Sequence, residues 1–198
     1  MIYVTNVPRL EEGETSAVTL GKFDGLHKGH QKLISCIQKK KKDNCKTVIF
    51  TFDISPLVKV HHKPAKGLLT NEERQELAEM LGMDMLVECP FTDAVMHMEP
   101  EQFVKEFLVD RLHVSYLAVG PDFRFGYERK GTPQLLEQMG KTYGFSVEIV
   151  EKLTDGEREI SSTYVREELE KGNIEKVNKL LGYEYFTTYG FLNEYHMR

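Results

Sequence analysis

Ala17-Val18-Thr19-Leu20-Gly21-Lys22-Phe23-Asp24-Gly25-Leu26-His27-Lys28-Gly29-His30 is the stretch that sets the fold. Its first five residues read as a strand. A helix is predicted from about His30 to Lys42, with Leu33, Ile34 and Ile37 on one face. Thr47 to Phe52 is β-branched and aromatic and reads as a buried strand. A strand, a glycine-bearing loop, a helix and a second strand make one crossover unit with parallel strands.

Working outward, the alternation continues. Thr70-Asn71-Glu72-Glu73 has the spacing of a capping box, and Leu77, Met80 and Leu81 carry the helix on. Asp84 to Glu88 is a short strand. Glu99-Pro100 opens a helix bearing Phe103, Val104, Phe107 and Leu108, with proline near its first position. Val114 to Gly120 is a strand ending in glycine. Thr132-Pro133 starts a helix with Leu135, Leu136, Met139 and Tyr143 on its apolar face. Phe145 to Val150 is a strand, and helices at about Ser162–Lys171 and Asn173–Leu181 close the globule. The pattern is α/β, a parallel sheet flanked by helices. Ligands of such sheets sit beyond the carboxyl ends of the strands, where the strand order reverses. Three loops should face a ligand: Gly21–His30, Asp53–Lys66 and Gly120–Gly131.

Composition narrows the class. The 198 residues carry 26 Lys and Arg against 31 Asp and Glu, a net charge of −5. A mildly acidic chain lacks the basic face that broad nucleic-acid binding needs, so no nucleic-acid partner is expected. No run of about 18 apolar residues exists, so no membrane span is expected. The start lacks a basic segment followed by an apolar one. Cys36, Cys45 and Cys89 are widely spaced and form no Cys-x-x-Cys pair, which fits reduced thiols in the cytoplasm. No His-Glu-x-x-His pattern is present, and no protein metal site is expected. His61-His62 reads as a solvated loop. Lys39–Lys42 falls at a predicted helix end, where cations suit the dipole.

Two clusters carry chemistry. In the first loop, Gly25 and Gly29 allow a sharp turn and close approach to a ligand. His27, Lys28 and His30 sit where a helix begins, the wrong end for cations. An anion there removes the conflict, because helix N-termini bind phosphate. In the second cluster, Ser161, Ser162 and Thr163 are good N-cap residues. Arg166 is expected in that helix's first turn, where Asp or Glu is preferred. A phosphate between the hydroxyls and the guanidinium explains both features.

His-x-Gly-His after the first strand and a late Ile-Ser-Ser-Thr-x-x-Arg resemble the nucleotidylyltransferase superfamily. Gly21 to His30, Thr51-Phe52-Asp53, Val119-Gly120-Pro121-Asp122-Phe123-Arg124-Phe125-Gly126 and Ile160 to Arg166 together resemble the FMN adenylyltransferase module of bacterial FAD synthetases. The resemblance covers about Thr15 to Tyr183. It implies a Rossmann-like nucleotidylyltransferase fold and the reaction FMN + ATP → FAD + pyrophosphate, with Mg2+ accompanying ATP. It implies that His27 and His30 contact the ATP phosphates and the transition state, and that Ser162 and Arg166 hold the leaving pyrophosphate. It implies that Gly21, Phe23 and Asp24 shape the nucleotide site. Asp122, Phe123 and Arg124 lie on the third loop, where the family binds nucleotide. Phe123 and Phe125 alternate across a short extended stretch; either can stack on a ring or pack into the core.

The chain departs from the family at two places. Ser55 stands where the family has the histidine of Thr-Phe-(Asp/Glu)-Pro-His-Pro. Leu180-Leu181-Gly182-Tyr183 resembles the end of the transferase module, and the sequence given stops at Arg198, too soon for a riboflavin kinase barrel. The expected organisation is one transferase domain over 1–183 and a tyrosine-rich tail over 184–198. Two other readings stand beside FMN adenylylation: another phosphate acceptor, such as phosphopantetheine or nicotinamide mononucleotide, and a non-catalytic nucleotide or flavin sensor.

Overall fold

The computed structural model describes residues 1–53 and 67–185. Six strands, β1 (Ile2–Val4), β2 (Thr15–Leu20), β3 (Cys45–Phe52), β4 (Met85–Cys89), β5 (Val114–Val119) and β6 (Ser146–Ile149), form one sheet in the order β1-β4-β3-β2-β5-β6. Every pairing is parallel. From β2 the chain moves outward through β3 and β4, then returns to β2's other side for β5 and β6. The strand order therefore reverses beside β2, and the crevice beyond its carboxyl end is where such sheets bind ligands.

Period-two alternation decides which residues fill which layer. Val18 and Leu20, Val48 and Phe50, and Leu117 and Val119 lie in one buried cluster. Their neighbours Ala17, Ile49, Tyr116 and Ala118 lie in the other. Both faces of the sheet are covered, as a parallel sheet requires. Helix α1 (Lys28–Gln38) buries Ile34 and Ile37 on one face. Helix α2 (Asn71–Met80) opens on the expected capping box: Thr70 N–H donates to Glu73 at 2.8 Å, and Glu73 N–H to the Thr70 hydroxyl at 3.2 Å. The short helix α3 (Asp93–Met96) is followed by α4 (Pro100–Phe103), which continues as a π-helical turn through Val109. Helix α5 (Pro133–Tyr143) is capped by Thr132 and ends at Gly144. Helices α6 (Ser162–Glu170) and α7 (Ile174–Leu181) pack together around Val165, Val177 and Leu180.

Several boundaries differ from the sequence reading. Helix α1 starts at Lys28 and ends at Gln38, so Lys39–Lys42 lies beyond the helix. There Lys41 pairs with Asp84 at 2.6 Å, and Lys40 lies over the Tyr116 ring. Tyr143 is exposed, because the chain leaves α5 at that point. The edge strand β1 and the hairpin β7 (Thr154–Asp155) and β8 (Arg158–Glu159) were not anticipated. Ser55, His61-His62 and the tail beyond Tyr185 lie outside the described residues.

Candidate active site

The loop from β2 to α1 is an unusual piece of backbone. Phe23, Gly25 and Leu26 all have positive φ, at 49°, 83° and 37°. Such conformations are costly for Phe and Leu. Full burial of both side chains offsets the cost. The loop is also tied from outside. Tyr183 O–H donates to the Gly25 carbonyl at 2.7 Å, and the Gln31 amide donates to the Leu26 and Leu181 carbonyls at 2.8 and 2.7 Å.

Asp24 is the hub of these ties. Its carboxylate accepts the Leu68 N–H at 2.7 Å and pairs with the Arg166 guanidinium. Its carbonyl accepts the Ser162 hydroxyl at 2.7 Å. The first loop and α6 are thereby held as one unit. Arg166 is five residues past the Ser161 cap, outside the first turn where it was expected. Its oddity in sequence, for which a phosphate was the expected explanation, is met in the structure by the Asp24 carboxylate.

His27 caps α1. Its Nδ1 accepts the His30 N–H at 3.4 Å, and the two imidazoles stack with centroids 3.7 Å apart. Accepting at Nδ1 leaves a neutral His27 with its proton on Nε2. A side chain at Gly29 would crowd this arrangement, since a Cβ there meets the His27 ring at 3.1 Å. His30 leans on Phe23, with centroids 5.0 Å apart, and its Nδ1 is buried without a hydrogen-bond partner. Burial pushes the His27 imidazolium down to about pH 4, against a smaller opposing pull from Asp24. Burial, with His27 adding to it, holds His30 well below the ordinary histidine value. Two neutral donors, not two cations, therefore stand at the helix start. For the two histidines the conflict with the dipole is removed by deprotonation; Lys28 remains at the first helical position.

A cavity of about 340 Å³ lies against this surface. His27, Gly29 and His30 from the start of α1 and Ser161, Ser162 and Thr163 from the start of α6 line it together. The first N–H groups of a helix have no partner inside it, so two sets of orphan donors face one space. Gly21, Asp122 and Phe123 complete that wall. Phe23, Asp24, Gly25 and Arg166 are behind the lining. Lys28 is also not in the lining; its stem packs where a Cβ at Gly182 would meet it at 3.1 Å.

A second cavity, of about 300 Å³, shares Leu20, Gly21, Asp122 and Phe123 with the first. Its walls are aromatic: Phe50, Phe52, Phe103, Phe123 and Phe125. Lys22, Arg124 and Arg129 stand around it. Phe123 and Phe125 stack at 5.7 Å and 15°, but Phe125 is buried in the core while Phe123 lines both cavities.

Sequence reasoning missed the hairpin's contribution. Lys152 joins Asp122 at 2.8 Å to Glu159 at 2.7 Å across the first cavity's wall. Tyr164 O–H and Lys179 hold Asp155 at 3.1 and 2.9 Å, pinning the hairpin on α6 and α7. Phe50, Phe52 and Phe103 were legible only as core residues. Among the described residues, no three His, Cys, Asp or Glu side chains gather as a cation site. Asp122 and Glu159 in the first cavity's wall both pair with Lys152. No helix among the described residues is long and apolar enough to cross a membrane.

Comparisons with known proteins place the chain among relatives. The bifunctional riboflavin kinase/FMN adenylyltransferase of Buchnera aphidicola subsp. Schizaphis graminum is 37% identical over 84% of this chain and 54% of that protein. Its Escherichia coli counterpart is 34% identical over 87% of this chain and 56% of that protein. The chain thus spans about half the length of these curated relatives. A FAD synthetase of Listeria monocytogenes is 30% identical over 94% of this chain and 76% of that protein. A crystal structure described as a macrolide-efflux protein from Streptococcus pneumoniae superposes with a TM-score of 0.78 at 29% identity, over 92% of this chain and 61% of that one. A pantoate-beta-alanine ligase from Francisella tularensis, at 14% identity and a TM-score of 0.54 over 92% of this chain and 86% of that one, shares the fold. The FAD synthetase family model matches residues 10–164, a span that takes in the β2–α1 loop, both cavities and the Ser161–Thr163 cap. By that match and by these relatives, the chain belongs to the FAD synthetase family.

Proposed function

We propose that this chain transfers the adenylyl group of ATP to FMN, giving FAD and pyrophosphate. The supporting observation is the pair of helix starts facing one cavity, which shares Leu20, Gly21, Asp122 and Phe123 with an aromatic second cavity. The first suits a polyphosphate and the second a planar ring. A phosphate oxygen of FMN attacks the α-phosphorus of ATP. The bond from that phosphorus to the bridging oxygen breaks, and pyrophosphate leaves with both electrons.

Little covalent work falls to the protein, so alignment and charge stabilisation carry the rate. His27 and His30 donate from Nε2–H to oxygens on the transferring phosphorus. The Ser162 and Thr163 N–H groups take the leaving pyrophosphate, with Arg166 at the same end, oriented by Asp24. Gly21 and Phe123 stand where the two substrates meet. Asp122 and Arg124 flank that junction. Magnesium enters with ATP, and no step is routed through a protein-held ion. We assign the chain to the cytoplasm, where ATP is supplied and buried thiols such as Cys36, Cys45 and Cys89 stay reduced.

Chromatography of reactions holding FMN, ATP and magnesium tests the proposal. FAD and pyrophosphate should appear in equal amounts. Nicotinamide mononucleotide and phosphopantetheine should give no adenylylated product, because neither fills an aromatic cavity of this kind. Absence of FAD at saturating FMN refutes the reading.

A further inference from the structure

We infer that Arg129 is a specificity-determining residue that binds the carbonyl edge of the flavin ring, held there by a strained turn. The inference rests on the flavin reading above and goes beyond it by assigning one end of the ring.

Three cations stand around the aromatic cavity, and position separates them. Lys22 follows Gly21, a residue shared by both cavities, so it belongs near the phosphates. Arg124 turns back on the chain and donates to the Phe123 carbonyl at 2.8 Å. Arg129 lines the aromatic cavity as Lys22 and Arg124 do, but it is neither beside the shared Gly21 nor folded back on the Phe123 carbonyl. Its neighbour Glu128 does not neutralise it, because that carboxylate pairs with Lys130 at 3.1 Å.

The backbone at Arg129 is an independent observation. Glu128 and Arg129 are consecutive non-glycine residues with φ of 53° and 60°. L-residues enter this region at a cost and stay only where the surroundings enforce it. Here they do. Tyr127 N–H donates to the Met98 carbonyl at 2.8 Å, and Gly131 N–H to the Phe125 carbonyl at 2.8 Å. Gly126, at φ 70°, sits against Pro100 with no room for a Cβ. The turn is fixed at both ends, and its middle places the exposed Arg129 in the wall of an aromatic cavity.

The chemistry of the ring decides what that guanidinium meets. With the FMN phosphate at the junction near Gly21, the ring occupies the part lined by Phe103, Phe125 and Arg129. One end of isoalloxazine is a dimethylbenzene, which suits the phenylalanines. The other end is a dione whose adjacent acceptors match the fork of a guanidinium. Arg129 therefore reads the dione end and sets the ring's orientation.

Fluorescence titration of FMN and of riboflavin against wild type, Arg129→Gln and Arg129→Lys tests this. Arg129→Gln should weaken both flavins alike, by roughly tenfold or more, the loss of a charge-assisted contact. Arg129→Lys should recover only part, and ATP affinity should be unchanged in both variants. Arg129→Gly should melt no lower than wild type, since it relieves the left-handed strain, yet lose the same flavin affinity. Weakening of FMN with riboflavin untouched places Arg129 on the phosphate and overturns the inference, as does flavin affinity equal to wild type. If wild type binds neither flavin, the flavin reading itself falls and takes this inference with it.

Discussion

Asp24 and Arg166, 142 residues apart in the chain, form an ion pair that fastens the β2–α1 loop to α6. The carboxylate is buried, and its other oxygen accepts the Leu68 N–H. This pair ties the loop that carries the His27–His30 stack to the helix that carries the Ser161–Thr163 cap, the two sides of the first cavity. A cation opposed only by a helix dipole would be relieved by neutral substitution. A cation paired with a buried carboxylate is not, because the carboxylate is left uncompensated. Arg166→Gln should therefore destabilise the free protein by about 1–3 kcal/mol. Arg166→Lys should recover part of that loss, lacking the planar fork. Denaturant unfolding without nucleotide checks the sign; a variant as stable as wild type would separate the pair from the architecture of the loop.

The stacked histidines predict a pH response. An unfolded His27 takes up a proton near pH 6.5, whereas in the folded chain burial lowers its value to about 4. The unfolded state thus binds more protons between these values, and stability falls as pH drops through that window. The full effect is on the order of 3 kcal/mol for His27, with His30 adding in the same direction. His27→Asn should reduce the fall in stability between pH 6.5 and 4, leaving the part that His30 contributes. Melting temperatures from pH 4 to 8 for both proteins measure it. An anion bound beside the pair should pull the histidine values upward, so wild type with pyrophosphate should lose less stability over the same window.

How much of this could be read in the residues differs by feature. Long elements with repeated apolar spacing were legible: α1 from Leu33, Ile34 and Ile37, β3 from its β-branched run, and α2 from its capping box. The Gly21–His30 and Gly120–Gly131 loops were placed correctly at the strand ends, because parallel topology leaves no other place for them. The hairpin Thr154–Glu159 was not legible. Strands of two residues have no period, and what fixes them is Asp155 meeting Tyr164 and Lys179 from α6 and α7. The partner of Arg166 was equally hidden, since nothing local marks a contact across most of the chain. The charge state of His27 and His30 followed from burial, which residue type alone does not reveal. Phe50, Phe52 and Phe103 read as core because an aromatic cavity and a core present the same pattern.

His30 separates folding from catalysis most sharply. Its ring lies between Phe23 and His27, and its Nδ1 is buried with no partner. A buried ring nitrogen without a hydrogen bond costs about 1–3 kcal/mol. Phenylalanine is a larger flat ring and carries no such atom. His30→Phe should therefore keep or raise the melting temperature, with the gain limited by the ring's slightly larger size. The same change deletes the ring nitrogens of a residue that lines the first cavity, where the proposed function has His30 donate to a phosphate oxygen. Loss of one donor to charge developing on the transferring phosphorus costs roughly 100- to 1000-fold in turnover. The two effects have opposite signs, which a merely structural histidine would not produce. Melting curves, with FAD formation measured per folded molecule, read both at once. A destabilised His30→Phe protein with near-normal turnover would assign His30 to the core and leave the transfer step to His27.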